Sequence, residues 1–425
     1  MALTKSSILV DLTPLRKSRN FRLLWLAQLL TWSARQMVVV AVPYQVYTLT
    51  GSSLAVGVVG LVEAVPIVLA GLYGGVLVDR FDRRRVQLGA KAFVAGGSFA
   101  LTFGALGPKL PLIFIYLVVA VIAASWTIDQ TARAATIPRL VSRHLLPAAL
   151  SLGQTTFQTA NVAGPVLAGL VIAKAGVGWA YLLDALSFFP AAFLIWLLSP
   201  QPPAKDHGVV LGFKAPIESL RYLRRSRLLI GLFASDLIAM IFGMPTAVFP
   251  ALALSVFRIG PAGLGLLYAA VGTGAVLASV LSGWVRQVSR QAMAIVVAIA
   301  VWGLAIASFG LTGRQLWIGL PLLAIAGAAN NISAVFRHTI LQLSIPDSMR
   351  GRMSALNLIV AYAGPRLGDL EAGVVATVVN PIFSVVSGGF AATLGIMVLV
   401  LAVPEMRAQR ADRPAGNAVP DEGSA

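Results

Sequence analysis

Long apolar stretches separated by short polar joints run through almost the whole of this chain. Segments of roughly 18 to 25 residues fall at 21–45, 54–76, 86–106, 111–131, 148–172, 179–199, 228–250, 262–284, 292–312, 315–337, 353–378 and 385–402. The pattern predicts an all-α membrane protein with twelve transmembrane helices. Joints as short as Gly107-Pro108-Lys109-Leu110 and Leu311-Thr312-Gly313-Arg314 force neighbouring helices to run antiparallel. The largest break in hydropathy, Ser199 to Arg227, divides the spans six and six. It contains Pro200, Pro202, Pro203 and the basic run Arg221-Tyr222-Leu223-Arg224-Arg225-Ser226-Arg227. The expected organisation is therefore two six-helix bundles at 1–199 and 228–402, a cytoplasmic linker at 200–227 and a flexible cytoplasmic tail at 403–425.

The two halves echo each other. Ala163-Gly164-Pro165-Val166-Leu167-Ala168 recurs as Ala363-Gly364-Pro365-Arg366-Leu367-Gly368, and Gly75 with Arg83-Arg84 has a weaker counterpart in Gly283 and Arg286 to Arg290. Such a repeat implies two parallel bundles with a site between them near the midplane. Gly-Pro pairs are also frequent in membrane helices, so it is the matching position in both halves that carries weight.

Composition sharpens the picture. The 425 residues are 58% hydrophobic and 12% charged, with a mean hydropathy of +0.84, far from the roughly 25% charged residues of a soluble domain. There is no cysteine, hence no disulfide or thiolate chemistry, and His144, His207 and His338 lack metal-ligand spacing. The net charge of +17 is spread over loops rather than gathered on one face, which argues against nucleic acid. Of 33 Lys and Arg, only Lys109, Lys174, Arg258 and Arg314 fall on one side of the predicted bilayer and only Arg35 and Arg366 within spans. The positive-inside rule then puts both termini in the cytoplasm of a multi-pass protein of the cytoplasmic membrane. Met1 to Asn20 lacks the apolar core and small-residue cleavage site of a removable signal peptide. No Gly-x-x-x-x-Gly-Lys-Ser/Thr loop is present. The expectation is a carrier driven by a gradient, with no cofactor and no metal, and not an enzyme.

Ionisable groups within lipid cost about 2.5–3.5 kcal/mol each on insertion scales and usually face a cavity or one another. Glu63 lies mid-span beside Pro66, Arg35 lies in the first span and Asp236 in the seventh; the eleventh holds Arg366, Asp369 and Glu371. Arg366 and Asp369, three apart, share a helical face and can pair. Glu63, Asp236 and Glu371 then lack an obvious partner, although Arg35 can neutralise one. A carboxylate in a desolvated cavity suits proton exchange, so Glu63, Asp236, Asp369 and Glu371 are proton-coupling candidates, with Asp236 and Glu63 leading. The competing reading of Arg366 with Asp369 is an ion pair that only orients helices. Asp184, near the outer end of the sixth span, reads as interfacial.

Between the second and third spans lies Gly75-Val76-Leu77-Val78-Asp79-Arg80-Phe81-Asp82-Arg83-Arg84-Arg85. A glycine permits close helix approach and the charges pin the turn to the surface. Gly75, Asp79, Arg80, Arg83 and Arg84 resemble the loop motif of major facilitator superfamily transporters, with Asp82 where that family usually has a second glycine. Asn161-Val162-Ala163-Gly164-Pro165-Val166-Leu167-Ala168-Gly169 resembles the helix-five motif of its drug-exporting members. Phe21-Arg22-Leu23-Leu24-Trp25, Val42-Pro43-Tyr44-Gln45-Val46-Tyr47, Leu49-Thr50-Gly51-Ser52-Ser53 and Arg350-Gly351-Arg352 are similar to the enterobactin-exporter branch and its multidrug-efflux neighbours, over about residues 12 to 402.

That resemblance implies the major facilitator fold and alternating access. It implies a cytoplasmic latch of Gly75, Asp79, Arg80, Arg83 and Asp129, in which Asp79 meets the start of the eleventh helix and Arg83 bridges to Asp129. It implies a central cavity drawing on spans one, four, seven and ten, here Gln28, Trp32, Trp126, Gln130, Asn330, Asn331 and Ser333, a mixture of aromatic rings and amides that suits a bulky amphipathic molecule. Gly164, Pro165 and Gly169 favour export on this reading, while plain helix packing accounts for the same residues. The expected activity is export of an amphipathic small molecule, a siderophore or a drug, in exchange for protons, by a monomer in the lipid bilayer. The rivals are a nutrient importer of the same fold and a non-transporting receptor or scaffold.

Overall fold

A computed structural model of the chain describes residues 11–107, 110–203, 221–223, 226–313, 315–345 and 347–409. Much of the expected linker and most of the tail, residues 204–220, 224–225 and 410–425, lie outside it, as do Lys109 and Arg314. Among the described residues all regular structure is helical. Twelve long helices follow in chain order: α1 Arg19–Thr50, α2 Ser53–Arg80, α3 Arg83–Leu106, α4 Leu112–Leu140, α5 Leu146–Ala175, α6 Val177–Trp196, α7 Arg227–Phe242, α8 Gly260–Val280, α9 Gln291–Leu311, α10 Leu316–Ser344, α11 Asp347–Val378 and α12 Pro381–Ala402. Eleven segments are long and apolar enough to cross a membrane. At 32 residues α11 has the length, about 48 Å, but it carries Arg366, Asp369 and Glu371 and falls below that apolarity.

Local chemistry explains the joints. Ser18, Ser52, Asp82, Ser226 and Asn380 each accept a backbone N–H in the first turn of α1, α2, α3, α7 and α12, and such caps stabilise a helix start by about 1 kcal/mol. Gly51, at φ 65°, supplies the left-handed residue that closes α1 before α2. Helices α1 to α6 pack with one another, as do α7 to α12. The linker joins the end of α6 to the start of α7, and both ends of the described chain lie on this same face, here the linker face. Next to it a short helix, Pro404–Ala408, buries Met406.

One expected span is not continuous. The apolar run over 228–250 predicts a single helix, but α7 ends at Phe242. The chain passes Gly243-Met244-Pro245 and resumes as a 3₁₀ turn at Thr246–Val248 and a π-helical stretch at Leu252–Val256. Pro245 has no N–H and its ring breaks the ladder, leaving backbone donors that need partners inside the protein.

The bundles meet along two seams, α2 with α11 and α5 with α8, which the internal repeat relates to each other. In one, a Cβ at Gly57 would lie 2.6 Å from the Asp369 carbonyl oxygen, and one at Gly373 would lie 2.6 Å from that of Ser53. In the other, a Cβ at Gly169 would lie 2.6 Å from the Pro261 oxygen and one at Gly265 would come closer still to that of Pro165. No side chain fits at these positions, so backbones touch directly. The repeated Gly-Pro motif serves parallel ends: Gly164 packs on Gln36 of α1, and Gly364 on Met240 of α7. All these seam contacts lie in the half of the molecule away from the linker face.

Candidate functional site

At the heart of the α2/α11 seam sits a cluster of charges. Glu63 of α2 receives Arg366 Nε of α11 at 2.8 Å and Arg35 Nη2 of α1 at 3.5 Å. The carboxylate thus ties the two bundles together. Beside it Asp369 does not pair with Arg366 as the three-residue spacing suggested. Arg366 turns across the seam to Glu63, whereas Asp369 turns back to the broken stretch after α7. There it accepts the Ala247 N–H at 2.9 Å and the Thr246 hydroxyl. The break in α7 creates the donors, and Asp369 satisfies them. Further toward the far face, Tyr47 Oη and Ser255 Oγ are 2.9 Å apart, and the Leu54 N–H donates to Thr377 Oγ1 at 2.9 Å. Every described polar contact between bundles is therefore in the half away from the linker.

A second site opens toward the linker half, between α1, α3 and α4. Gln28 and Trp32 of α1, Lys91 of α3, and Asp129, Gln130 and Arg133 of α4 line one small pocket. Lys91 Nζ pairs with Asp129 Oδ2 at 3.1 Å, both groups buried. The Arg133 guanidinium lies 4.9 Å from the centre of the Trp32 ring and donates from Nε to Gln130 Oε1 at 2.8 Å. Trp32 meets Phe157 edge-on at 5.2 Å, and Trp126 sits 5.9 Å from the Arg35 guanidinium. Of the expected cavity residues, Gln28, Trp32 and Gln130 come together, while Trp126 sits beside the charge cluster. Asn330 is half-buried, Asn331 donates to Ser279 of α8 at 3.0 Å, and Ser333 is buried beside Arg337 within the second bundle.

Among the described residues the Arg83–Asp129 bridge of the expected latch is not formed. Asp129 lies about 16 Å along α4 from its linker-face end, level with Lys91 and out of reach of Arg83 at the first turn of α3; it binds Lys91 instead. Arg83 is buried and its backbone N–H donates to the Gln201 carbonyl at 3.1 Å, while Asp79 and Arg80 are exposed. The side chains at the start of α11, with Arg350 and Arg352, lie outside the described residues. A Cβ at Gly75 would meet nothing within 4 Å. Close helix approach is therefore not what this glycine provides here, since the seam is tight only in the far half. Asp82 resolves the departure from the family's loop pattern: its two oxygens accept the Arg84 and Gln201 N–H groups at 2.8 and 3.0 Å. A capping carboxylate thus fixes the turn into α3.

Two further expectations are corrected. Asp236 has a partner, Arg337 Nη2 of α10 at 2.8 Å, both buried. Asp184 is not interfacial; it is fully buried between α3 and α6, accepting the Ser98 hydroxyl at 2.5 Å. Glu371 is half-buried with no ion pair among the described residues. The charge asymmetry read from the sequence places Lys91, Arg133 and Arg337 with the cytoplasmic loops, yet each belongs to a helix. Lys91 stood within an apolar segment and so was visible as an anomaly. Arg133 and Arg337 fall at or beyond the ends of predicted spans, and α4 and α10 extend past those ends to Leu140 and Ser344.

Residues 10–421 match the model of a family described as transmembrane secretion effector. Enterobactin exporter EntS of Salmonella typhi is 29% identical over 417 residues, covering 98% of this chain and all of the relative. That of Citrobacter koseri is 30% identical with the same coverage. Among solved structures, a POT family transporter in complex with 5-aminolevulinic acid superposes with a TM-score of 0.75 at 12% identity, covering 92% of this chain and 97% of that one. A bacterial homologue of the iron transporter ferroportin in an inward-facing state gives 0.69 at 16% identity, covering 92% and 99%. At these identities the structures speak for the fold, which is that of the major facilitators. A twelve-helix carrier with a charged seam, no strand among its described residues and a full-length family match is a multi-pass membrane transporter and not an enzyme. The chain belongs to the transmembrane secretion effector family of the major facilitator superfamily.

Proposed function

We propose that this protein is a secondary exporter that carries a siderophore-like amphipathic molecule from the cytoplasm across the cytoplasmic membrane, exchanging it for protons as its two bundles rock about the α2/α11 and α5/α8 seams. One observation carries the reading. The far half is closed by backbone contact at Gly57, Gly373, Gly169 and Gly265, while a polar and aromatic pocket lies in the linker half. The excess of Lys and Arg near the linker face supports a cytoplasmic linker and termini, so the pocket is loaded from inside. Full-length similarity to enterobactin exporters supports the cargo class. Each chain holds both bundles and the pocket, so a monomer suffices.

Proton coupling is assigned first to Asp236 and Asp369. Both are buried carboxylates of the second bundle, Asp236 paired with Arg337 of α10 and Asp369 hydrogen-bonded to the break after α7. Glu63, bridging two arginines, serves as the tie between bundles, and Glu371 is the remaining candidate. The latch of Gly75, Asp79, Arg80, Arg83 and Asp129 belongs to the opposite conformation, in which the linker half closes. The test uses purified protein in liposomes with a trapped pH indicator, challenged with enterobactin and with ethidium. Enterobactin-dependent proton movement that is lost in Asp236→Asn or Asp369→Asn supports antiport. Enterobactin flux with no proton movement removes the coupling, and no flux at all removes the exporter.

A further inference from the structure

On the linker face, three chain ends of the first bundle enclose an open cleft of about 430 Å³. The start of α1 supplies Lys17 and Arg19, the joint from α4 to α5 supplies Leu140, Val141 and Leu145, and Ser199 lies past the end of α6. Hydrogen bonds hold these ends in register. The Ser18 hydroxyl donates to the Leu140 carbonyl at 2.7 Å and accepts the Phe21 N–H at 3.1 Å, while Asn20 Nδ2 donates to Ser199 Oγ at 3.1 Å. Both charged residues of the lining are cations. Lys17 and Arg19 are exposed, and neither has a carboxylate within ion-pair distance among the described residues. Asp11, six residues before Lys17, accepts the Thr13 N–H at 2.9 Å, and Asp82 uses its two oxygens on the Arg84 and Gln201 N–H groups. The cleft also lies at the positive dipole end of α1, a helix of 32 residues.

Depth in the membrane identifies the anion that this charge invites. Near the end of α6, Phe193 and Trp196 are each 58% exposed, with ring centres 6.2 Å apart, and the Arg84 guanidinium lies 5.9 Å from the Trp196 ring. Exposed rings beside a cation mark the boundary between acyl chains and water. Ser199 follows Trp196 by three residues, which puts the cleft within about 10 Å of that boundary. On the other side Leu150, five residues past Leu145, is exposed on α5. We infer that the cleft is a docking site for the headgroup of an anionic phospholipid, whose phosphodiester meets Lys17 and Arg19 while its glycerol backbone packs on Leu140, Val141 and Leu145. Water takes about 30 Å³ per molecule in the liquid, so there is room for a phosphate with its glycerol. A soluble phosphate gains only the two charges, whereas a lipid gains the apolar wall too and leaves its chains in the bilayer. All three walls belong to the first bundle, so the site stands whether or not the protein exports anything.

The test is native mass spectrometry of the full-length protein in detergent micelles, titrated with phosphatidylglycerol or phosphatidylcholine. Wild type is expected to bind its first phosphatidylglycerol at least tenfold more tightly than phosphatidylcholine. Lys17→Gln with Arg19→Gln is expected to weaken phosphatidylglycerol roughly thirtyfold, about fivefold for each charge, and to leave phosphatidylcholine unchanged. Ser142→Trp fills the cleft from its α4–α5 wall without altering the charge and is expected to weaken phosphatidylglycerol as well. Arg290→Gln with Arg407→Gln removes the same charge from exposed positions of the second bundle on the same face and is expected to bind like wild type. Unchanged melting temperatures in phosphatidylcholine micelles are the control for folding. Equal weakening in the Arg290 and Arg407 variant reduces the effect to diffuse surface charge and overturns the inference. So does the absence of any preference for phosphatidylglycerol, or an affinity that survives in Ser142→Trp. Displacement of the lipid by millimolar inorganic phosphate assigns the cleft to a soluble anion and overturns the lipid assignment.

Discussion

Replacing Arg366 by Gln removes the ion pair that crosses the seam and leaves Glu63 its second partner, Arg35, within its own bundle. Only the crossing bond is broken when the bundles part, so this substitution isolates the contribution of the pair to keeping the far face closed. Breaking a fully buried pair costs about 3–5 kcal/mol, but the Arg366 side chain is 30% exposed and Glu63 13%, and solvent screening lowers the figure. About 2 kcal/mol is a fair value, roughly a thirtyfold shift in the closed-to-open ratio at about 1.4 kcal/mol per factor of ten. The chain contains no cysteine, so single cysteines introduced at Thr50 and Val379, on either side of the far end of the seam, can be spin-labelled without background. Pulsed electron resonance is expected to show a new, longer distance population in Arg366→Gln that is absent from wild type and from Arg366→Lys. An unaltered distance distribution in Arg366→Gln, with the protein folded, would refute the idea that this pair holds the gate.

Other outcomes follow from the same geometry. Gly169→Leu places carbon 2.6 Å from the Pro261 oxygen and 3.1 Å from the Gly265 Cα; backbone cannot yield there, so transport in vesicles should drop at least tenfold at normal membrane abundance. Gly75→Ala meets open space and replaces the poorer helix former, so the melting temperature in detergent should stay level or rise. Asp236→Asn strands the Arg337 guanidinium in the second bundle, and Lys91→Met strands Asp129 in the first. Each should lower stability by about 3–5 kcal/mol, whereas the double change Asp236→Asn with Arg337→Met should recover most of the loss in the same thermal assay. Asp82→Ala removes two hydrogen bonds at the start of α3 and should cost about 0.5–2 kcal/mol.

Much of the architecture is legible in the chain alone, for a simple reason. A bilayer accepts helices of one approximate length, so apolar runs and the breaks between them count the spans. The repeat of Gly164-Pro165 at Gly364-Pro365 announces two related bundles, and in the fold both pairs pack on the first helix of their own bundle. The charged residues inside spans were visible too, because lipid makes each one costly. What one dimension does not carry is the identity of their partners. Arg366 lies three residues from Asp369 yet binds Glu63, 303 positions away in the chain. Asp129 binds Lys91 because helix depth, not charge, decides which groups can meet. Asp236 finds Arg337 only because the packing of the second bundle brings these points of α7 and α10 within reach of each other, and Arg133 becomes a pocket residue only because α4 runs beyond its apolar stretch. Hydropathy is a property each residue has by itself, so the sequence determined the spans, their number and their pairing into halves. Ion pairing and pocket formation depend on distances across helices, and those exist only once the bundles have packed.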